Sequence, residues 1–327
     1  MKSVAEIQLL VEEKLRSITY NYPAPGLFDP IAYILSLGGK RLRPMLTVMA
    51  CELFSDDVSG ALAPAIGLEL FHNFTLLHDD LMDKADKRRG KLTVHKKWDD
   101  NTAILSGDAL HVLSLEYMLQ TPPPVLPEVL AVFTRMAMRV CAGQQYDMEF
   151  ERRLDVSEEE YIEMIGLKTA ELLASCLETG ALIGGAEGKD ADMLYAFGRN
   201  IGIAFQLKDD LLDVYADTLT FGKNIGGDIL CNKKTFLLIS ALKQAEGEIR
   251  DQLLEQLKRE PKSEAEKADK IARVTAIYDR LDIKSQVEQM MKNYYSAALL
   301  FLWEVGVERE RLSVLSRLAD DLMFRES

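Results

Sequence analysis

Residues Leu194–Ala216 read LYAFGRNIGIAFQLKDDLLDVYA. Apolar side chains recur there at three- and four-residue spacing, the period of an amphipathic helix, with no proline to interrupt it. The same period runs through VLAVFTRMAMRVCAGQQYDMEF (Val129–Phe150) and EEEYIEMIGLKTAELLASCLETGALIGGA (Glu158–Ala186). None of the 10 prolines lies between Pro127 and Pro261. Strand-like alternation bounded by turn signals is essentially missing. These features predict an all-α fold, a large helical bundle of about ten or more helices forming one domain over residues 1–327. Breaks are expected at Pro23, Pro25 and Pro30, at Pro122–Pro124, and at Gly184, Gly185 and Gly188. A polar, glycine-rich stretch, ADTLTFGKNIGGDILCNKKT, runs from Ala216 to Thr235, and KREPKSEAEKADK (Lys258–Lys270) reads as a surface connection.

Two of the predicted helices carry the same acidic pattern, DDLMD at Asp79–Asp83 and DDLLD at Asp209–Asp213. Positions i and i+4 lie one above the other on a helix, so each motif offers a pair of outward carboxylates with a third beside it. Acidic runs are ordinarily solvated helix faces. Asp-Asp also occurs at Asp56, Asp99 and Asp320, but there Gly60, Ala103 and Phe324 stand at i+4, and these three read as surface. The other two sit in apolar settings, LFHNFTLLHDDLMD and IGIAFQLKDDLLD, where an unpaired carboxylate is costly to bury. A pattern repeated in that setting favours a site for hard cations held by oxygen, which suits Mg²⁺ bound through carboxylates and substrate phosphates.

The net charge of −13 argues against general nucleic-acid binding. The four cysteines, Cys51, Cys141, Cys176 and Cys231, are widely spaced without a CxxC and read as reduced core thiols of a cytosolic protein. The opening MKSVAEIQLLVEEKLRS mixes acids with apolar positions and reads as an amphipathic helix rather than a signal peptide. No apolar run reaches about 18 residues, so no membrane span is expected. SAALLFLWEVGV, broken by Glu304, reads as a core helix.

Cations cluster in three places: GGKRLRP with Lys40, Arg41 and Arg43; KADKRRG with Arg88 and Arg89; and FGKNIGGDILCNKKT with Lys223, Lys233 and Lys234. Each alone could be solvated surface. Beside two acid pairs they describe a site for diphosphates, one bridged by metal and a second held by cations, since Arg forks match phosphate oxygens and Lys acts as a point charge. His72, seven residues before Asp79, shares roughly its face; it reads either as a satisfied core histidine or as a ligand contact.

From GGKRLRP to NKKT, roughly residues 38 to 238, the motifs resemble those of trans-type polyprenyl diphosphate synthases, the family of farnesyl and geranylgeranyl diphosphate synthases. DDLMD, RRG with the later His95, GLKTA, FQLKDDLLD and FGKNIGGD stand in the family's order. The resemblance implies an isoprenoid synthase-like all-α fold around a deep central cavity, a cytoplasmic homodimer, and condensation of isopentenyl diphosphate with an allylic diphosphate (dimethylallyl, geranyl or farnesyl). It implies three Mg²⁺ ions on Asp79, Asp83 and Asp209, supported by Asp80 and Asp213. It further implies contacts to the allylic diphosphate from Arg88, Lys168, Lys223 and Lys233, and to isopentenyl diphosphate from Lys40, Arg43, His72 and Arg89. Thr169 and Gln206 would lie beside the allylic carbons, with Gln144 and Asp147 lining the same cavity. One departure is Asn232-Lys233, where the family commonly has Gly-Lys.

Phe74 stands five residues before Asp79, about 7.5 Å along a helix, followed by Thr75. In the family, bulky groups at these two positions form the floor under the growing chain. A single aromatic with an uninterrupted DDxxD resembles short-chain geranylgeranyl synthases, which makes twenty carbons the expected product and fifteen the alternative; Phe74 could also be plain core. A class I terpene cyclase would share the first motif but normally has an Asn/Asp-x-x-Ser/Thr-x-x-x-Glu motif in place of the second. A regulatory subunit would tend to lose acidic motifs, and both are intact.

Overall fold

The computed structural model describes residues 2–20, 22–216 and 226–324. Among them the chain is almost wholly helical, as expected; the strands are one two-residue hairpin, β1 (Lys87–Arg88) against β2 (Lys91–Leu92). The chain divides into two compact units.

The first unit takes residues 1–135, 175–195 and 305–311. Its helices include α1 (Val4–Arg16), α2 (Pro25–Ser36), α3 (Leu42–Phe54), α4 (Ser59–Met82), the short α5 (Val94–Lys97) and α6 (Asp100–Met118). A capping box of Ser3 and Glu6 starts α1, which buries Ile7, Val11 and Leu15 on one face. In α4 every residue from Pro64 to Phe71 is buried, so the helix is walled on all sides before it emerges at the first acidic motif. It packs against α1, α3 and α6. Each buried Leu or Ile of this kind contributes about 1.5–3 kcal/mol of apolar transfer.

The second unit takes residues 136–174, 196–304 and 312–327. Helices α7 (Leu126–Phe150), α9 (Glu171–Gly184) and α10 (Gly188–Tyr215) have residues in both ranges. They are followed or interleaved by α8 (Glu158–Ile165), a π-helical turn at Gly166–Ala170, α11 (Gly227–Leu230), α12 (Phe236–Gln244), α13 (Gly247–Lys258), α14 (Glu264–Arg280), α15 (Ile283–Trp303) and α16 (Arg309–Phe324), which also has residues in both ranges. Tyr161, Leu207, Phe236, Leu253, Tyr278 and Val287 are among the residues of its core.

Several expectations need correction. Cys51 and Cys176 are buried but Cys141 and Cys231 are exposed: α7 turns Cys141 to the solvent side, and Cys231 lies in the turn just past α11. Gly188 opens α10 instead of ending a helix. The stretch read as a surface connection contains the capping box of Ser263 and Glu266 that starts α14, and its last residue, Lys270, is completely buried. The SAALLFLW helix is only half core: Ala298 and Leu302 are buried, while Leu300 is 71% exposed. No helix among the described residues is long and apolar enough to cross a membrane.

Candidate active site

The first acidic motif sits at the end of α4. Asp83 caps the helix, its N–H bonded to the Asp79 carbonyl at 2.9 Å. Asp79 is half-buried and Asp83 exposed, whereas Asp80 turns inward and is buried. Burial raises the Asp80 carboxyl, and Arg88 opposes this through a bond from Nε to Oδ2 of 2.8 Å. The same guanidinium reaches Asp79 at 3.9 Å. Arg88 lies in β1 and Arg89 at the hairpin turn with φ 51°, so a two-residue ladder aims both cations.

Arg89 lies on the Gly38-Gly39 pair and donates to the Gly38 carbonyl. A Cβ on Gly39 would meet the Arg89 guanidinium at 2.9 Å, a side-chain end that can shift, but its φ of +136° favours glycine whatever the space. The neighbouring Arg41 is structural: buried, it donates to Glu69 at 2.8 Å, Glu12 at 3.1 Å and the Leu35 carbonyl at 2.6 Å. Arg43 differs. Its Nε is buried with no partner, and burial lowers its pKa. The His72 imidazole is held well below its usual value by burial and then by Arg43, Arg89, Arg88 and Arg41, so it is neutral near pH 7. A neutral donor among crowded guanidiniums, one with an orphaned N–H, fits an anionic ligand. Lys40 is exposed beside them.

Phe74 lies half-buried on α4 in an aromatic cluster, with Phe71 at 5.4 Å, His78 at 4.9 Å and His111 of α6 stacked at 5.0 Å between ring centroids. Phe133 backs Phe71 at 5.6 Å. The Thr75 hydroxyl is spent on the His72 carbonyl at 2.8 Å.

The second unit carries its own cluster of polar side chains, built around the π-helical turn, a geometry frequent at functional positions. A Cβ on Gly143 of α7 would lie 2.3 Å from the Lys168 backbone nitrogen, so only glycine admits this approach. Lys168 projects from the turn and bonds Asp147 at 2.6 Å. Next to it, the Thr169 hydroxyl donates to Gln206 Oε1 at 3.1 Å, and Gln206 Nε2 donates to Asp210 Oδ1 at 3.0 Å. The buried Tyr161 hydroxyl bonds the other Asp210 oxygen. Asp210 thus fixes which end of the Gln206 amide faces Thr169; burial pushes its carboxyl up to about 7 against those two bonds.

The second motif repeats the first: Asp209 is exposed, Asp213 half-buried and Asp210 buried. Asp213 accepts the Asp228 N–H at 3.0 Å, and its carboxyl is raised by burial, with Asp209 adding. Asp228 is pushed up to about 6 by burial, opposed by Lys233, with Asp213, Asp209 and Asp147 adding. Carboxylates crowded this way form an all-oxygen donor set that a hard divalent cation would relieve. No group of three or more His, Cys, Asp or Glu converges in metal-ligating geometry among the described residues. Asp79 and Asp83 belong to the first unit and Asp209 to the second. Gln144 is half-buried on α7. Lys223 lies outside the described residues.

Sequence reasoning missed Asp210, Tyr161 and Asp228 as parts of this network. The DD pair of the second motif was a signal for the first, and the motif FGKNIGGD, which ends on Asp228, for the third; nothing local marks Tyr161.

The polyprenyl synthetase family model matches residues 24–274. The chain belongs to that family. Its members are prenyltransferases, in general Mg²⁺-dependent, that use isoprenyl diphosphates. The family member is 35% identical over 318 residues to the short chain isoprenyl diphosphate synthase of Methanothermobacter thermautotrophicus, covering 97% of this chain and 96% of that protein. It matches a crystal structure of a geranylgeranyl pyrophosphate synthase with 41% identity and TM-score 0.95, covering 100% of both chains. It also matches the polyprenyl synthase of Caulobacter crescentus, solved with calcium and isoprenyl diphosphate, with 29% identity and TM-score 0.82, covering 99% of this chain and 94% of that one. These neighbours share the all-α isoprenoid synthase fold.

Proposed function

We propose that this polyprenyl synthetase condenses isopentenyl diphosphate with an allylic diphosphate and stops at the twenty-carbon geranylgeranyl diphosphate. The observation that carries the product length is the single aromatic residue five positions before the first acidic motif, Phe74, braced by Phe71, His78 and His111. Thr75 beside it is small, where a second aromatic would suit a fifteen-carbon product. The short-chain and geranylgeranyl synthases among the chain's relatives support the same length.

In this reading Asp79, Asp83 and Asp209 hold three Mg²⁺ ions, with Asp80 and Asp213 supporting them; the calcium bound by the Caulobacter relative supports a divalent site. Bound Mg²⁺ supplies positive charge against the pyrophosphate as it leaves. Arg88, Lys168, Lys223 and Lys233 bind the allylic diphosphate and stabilise the same charge. Lys40, Arg43, His72 and Arg89 hold isopentenyl diphosphate, with the orphaned Arg43 Nε aimed for an anionic oxygen. Gln206, oriented by Asp210, turns its carbonyl oxygen and the Thr169 hydroxyl toward the carbon that becomes cationic. Gln144 and Asp147 line the cavity. The isopentenyl double bond attacks that carbon, and the proton then lost passes to the departing pyrophosphate. Apolar walls keep water from the cation.

The reading treats the chain as one working domain over residues 1–327, supported by a family match that runs through both units. It includes a homodimer in the cytoplasm, as is typical of the family. The test is pyrophosphate release with dimethylallyl diphosphate and isopentenyl diphosphate supplied singly and together, with Mg²⁺. Release that requires both supports condensation. Release from geranyl or farnesyl diphosphate supplied without isopentenyl diphosphate, with a cyclic hydrocarbon formed, would mean a cyclase.

A further inference from the structure

The loop that carries Lys233 is fastened from behind by a lysine that no motif contains. Asn232 sits in the left-handed region with φ 53°, and its backbone leads into Lys233, whose N–H bonds the Asp228 carbonyl at 2.9 Å. The Asn232 amide is held at both ends. Its Nδ2 donates to the Leu257 carbonyl at 2.9 Å, and its Oδ1 accepts from Lys270 Nζ at 2.9 Å. Lys270 is 0% exposed and also donates to the Arg259 carbonyl at 3.2 Å. Lys234 folds back to the Asn232 carbonyl at 3.1 Å. A buried ammonium is costly unless its protons are accepted, so this one persists only because Asn232 and Arg259 receive them.

We infer that Lys270 is a positioning residue for Lys233: through Asn232 it sets the backbone from which Lys233 reaches the acids at Asp213 and Asp228. This rests on the reading of Lys233 as a ligand of the allylic diphosphate. The requirement follows from the residue at 232. Glycine would adopt the positive φ unaided, whereas asparagine there has a half-buried amide, bonded at both ends, whose oxygen faces a buried ammonium.

The test is steady-state kinetics with each diphosphate varied at saturating levels of the other, on Lys270→Met, Asn232→Gly, the double variant and Lys233→Ala. Lys270→Met leaves the Asn232 oxygen unpaired and should raise KM for the allylic diphosphate about tenfold, leaving KM for isopentenyl diphosphate unchanged. Asn232→Gly leaves the ammonium short of an acceptor and should shift the same KM several-fold, which also covers a Lys270→Met protein that fails to fold. The double variant removes both orphans and should lie closer to wild type than either single variant. Equal shifts in both KM values, or a double variant at the product of the two single effects, would overturn the inference and leave Lys270 a packing residue. Lys233→Ala separates the two readings: if it leaves the allylic KM unchanged, the assignment of Lys233 fails and the inference with it. If it raises that KM while Lys270→Met does not, the inference alone fails.

Discussion

The ring of His111 stacks on the ring of Phe74, with centroids 5.0 Å apart and planes inclined by 13°. A side chain from α6 therefore supports Phe74, the residue proposed as the floor under the growing isoprenoid. Phe74→Ala removes the floor, and the product should lengthen beyond twenty carbons, read by chromatography of the dephosphorylated products. His111→Ala should broaden the product distribution more weakly, since Phe71 and His78 still brace Phe74. Unchanged length in Phe74→Ala would make Phe74 plain core.

Arg41 and Glu69 form a buried pair at 2.8 Å, each side chain 4% exposed. Removing one partner strands the other charge, so Arg41→Ala should lower stability by about 3–5 kcal/mol in urea unfolding. Arg41→Met combined with Glu69→Leu should recover much of that loss. A Glu69 left alone at little cost would show that the pair is solvated.

Gly143 admits the π-helical turn at 2.3 Å from the position a Cβ would take. Gly143→Ala must push the turn away or unwind it, at about 1–3 kcal/mol in stability. Because Lys168 and Thr169 ride on that turn, kcat should fall by more than tenfold in a protein that remains helical by circular dichroism. Full activity would show that the turn yields without moving them.

His72 is half-buried among arginines, and desolvation with their charge holds its pKa well below the usual imidazole range. The unfolded chain then takes up a proton that the folded chain refuses. Its contribution is full above the unfolded pKa and falls as the pH drops, by up to about 1.4 kcal/mol per unit, until the folded pKa is reached. His72→Asn cannot titrate, so its unfolding free energy should decline less than that of the wild type between pH 7.5 and 5.5, as ordinary denaturation curves would report. Parallel declines would contradict a neutral His72.

The helices and the two acidic motifs were legible because both are local: a three-to-four-residue period and an i, i+4 pair need no partner far along the chain. What stayed hidden depends on long-range burial. Arg41 finds Glu69 across 28 residues, Tyr161 finds Asp210 across 49, and Lys270 finds Asn232 across 38. Lys270 illustrates the failure well: its charged neighbours suggested surface, yet the helical period of α14 turns that one position inward. Arg41 misled in the other direction, since GGKRLRP groups it with cations read as ligand contacts although it is paired within the fold.

The most direct measurement is the product made from isopentenyl diphosphate and Mg²⁺ with dimethylallyl, geranyl or farnesyl diphosphate supplied in turn, resolved by chain length. The account predicts one dominant twenty-carbon product from all three primers. A product that stops at fifteen carbons, or no condensation from folded protein with any primer, would contradict it.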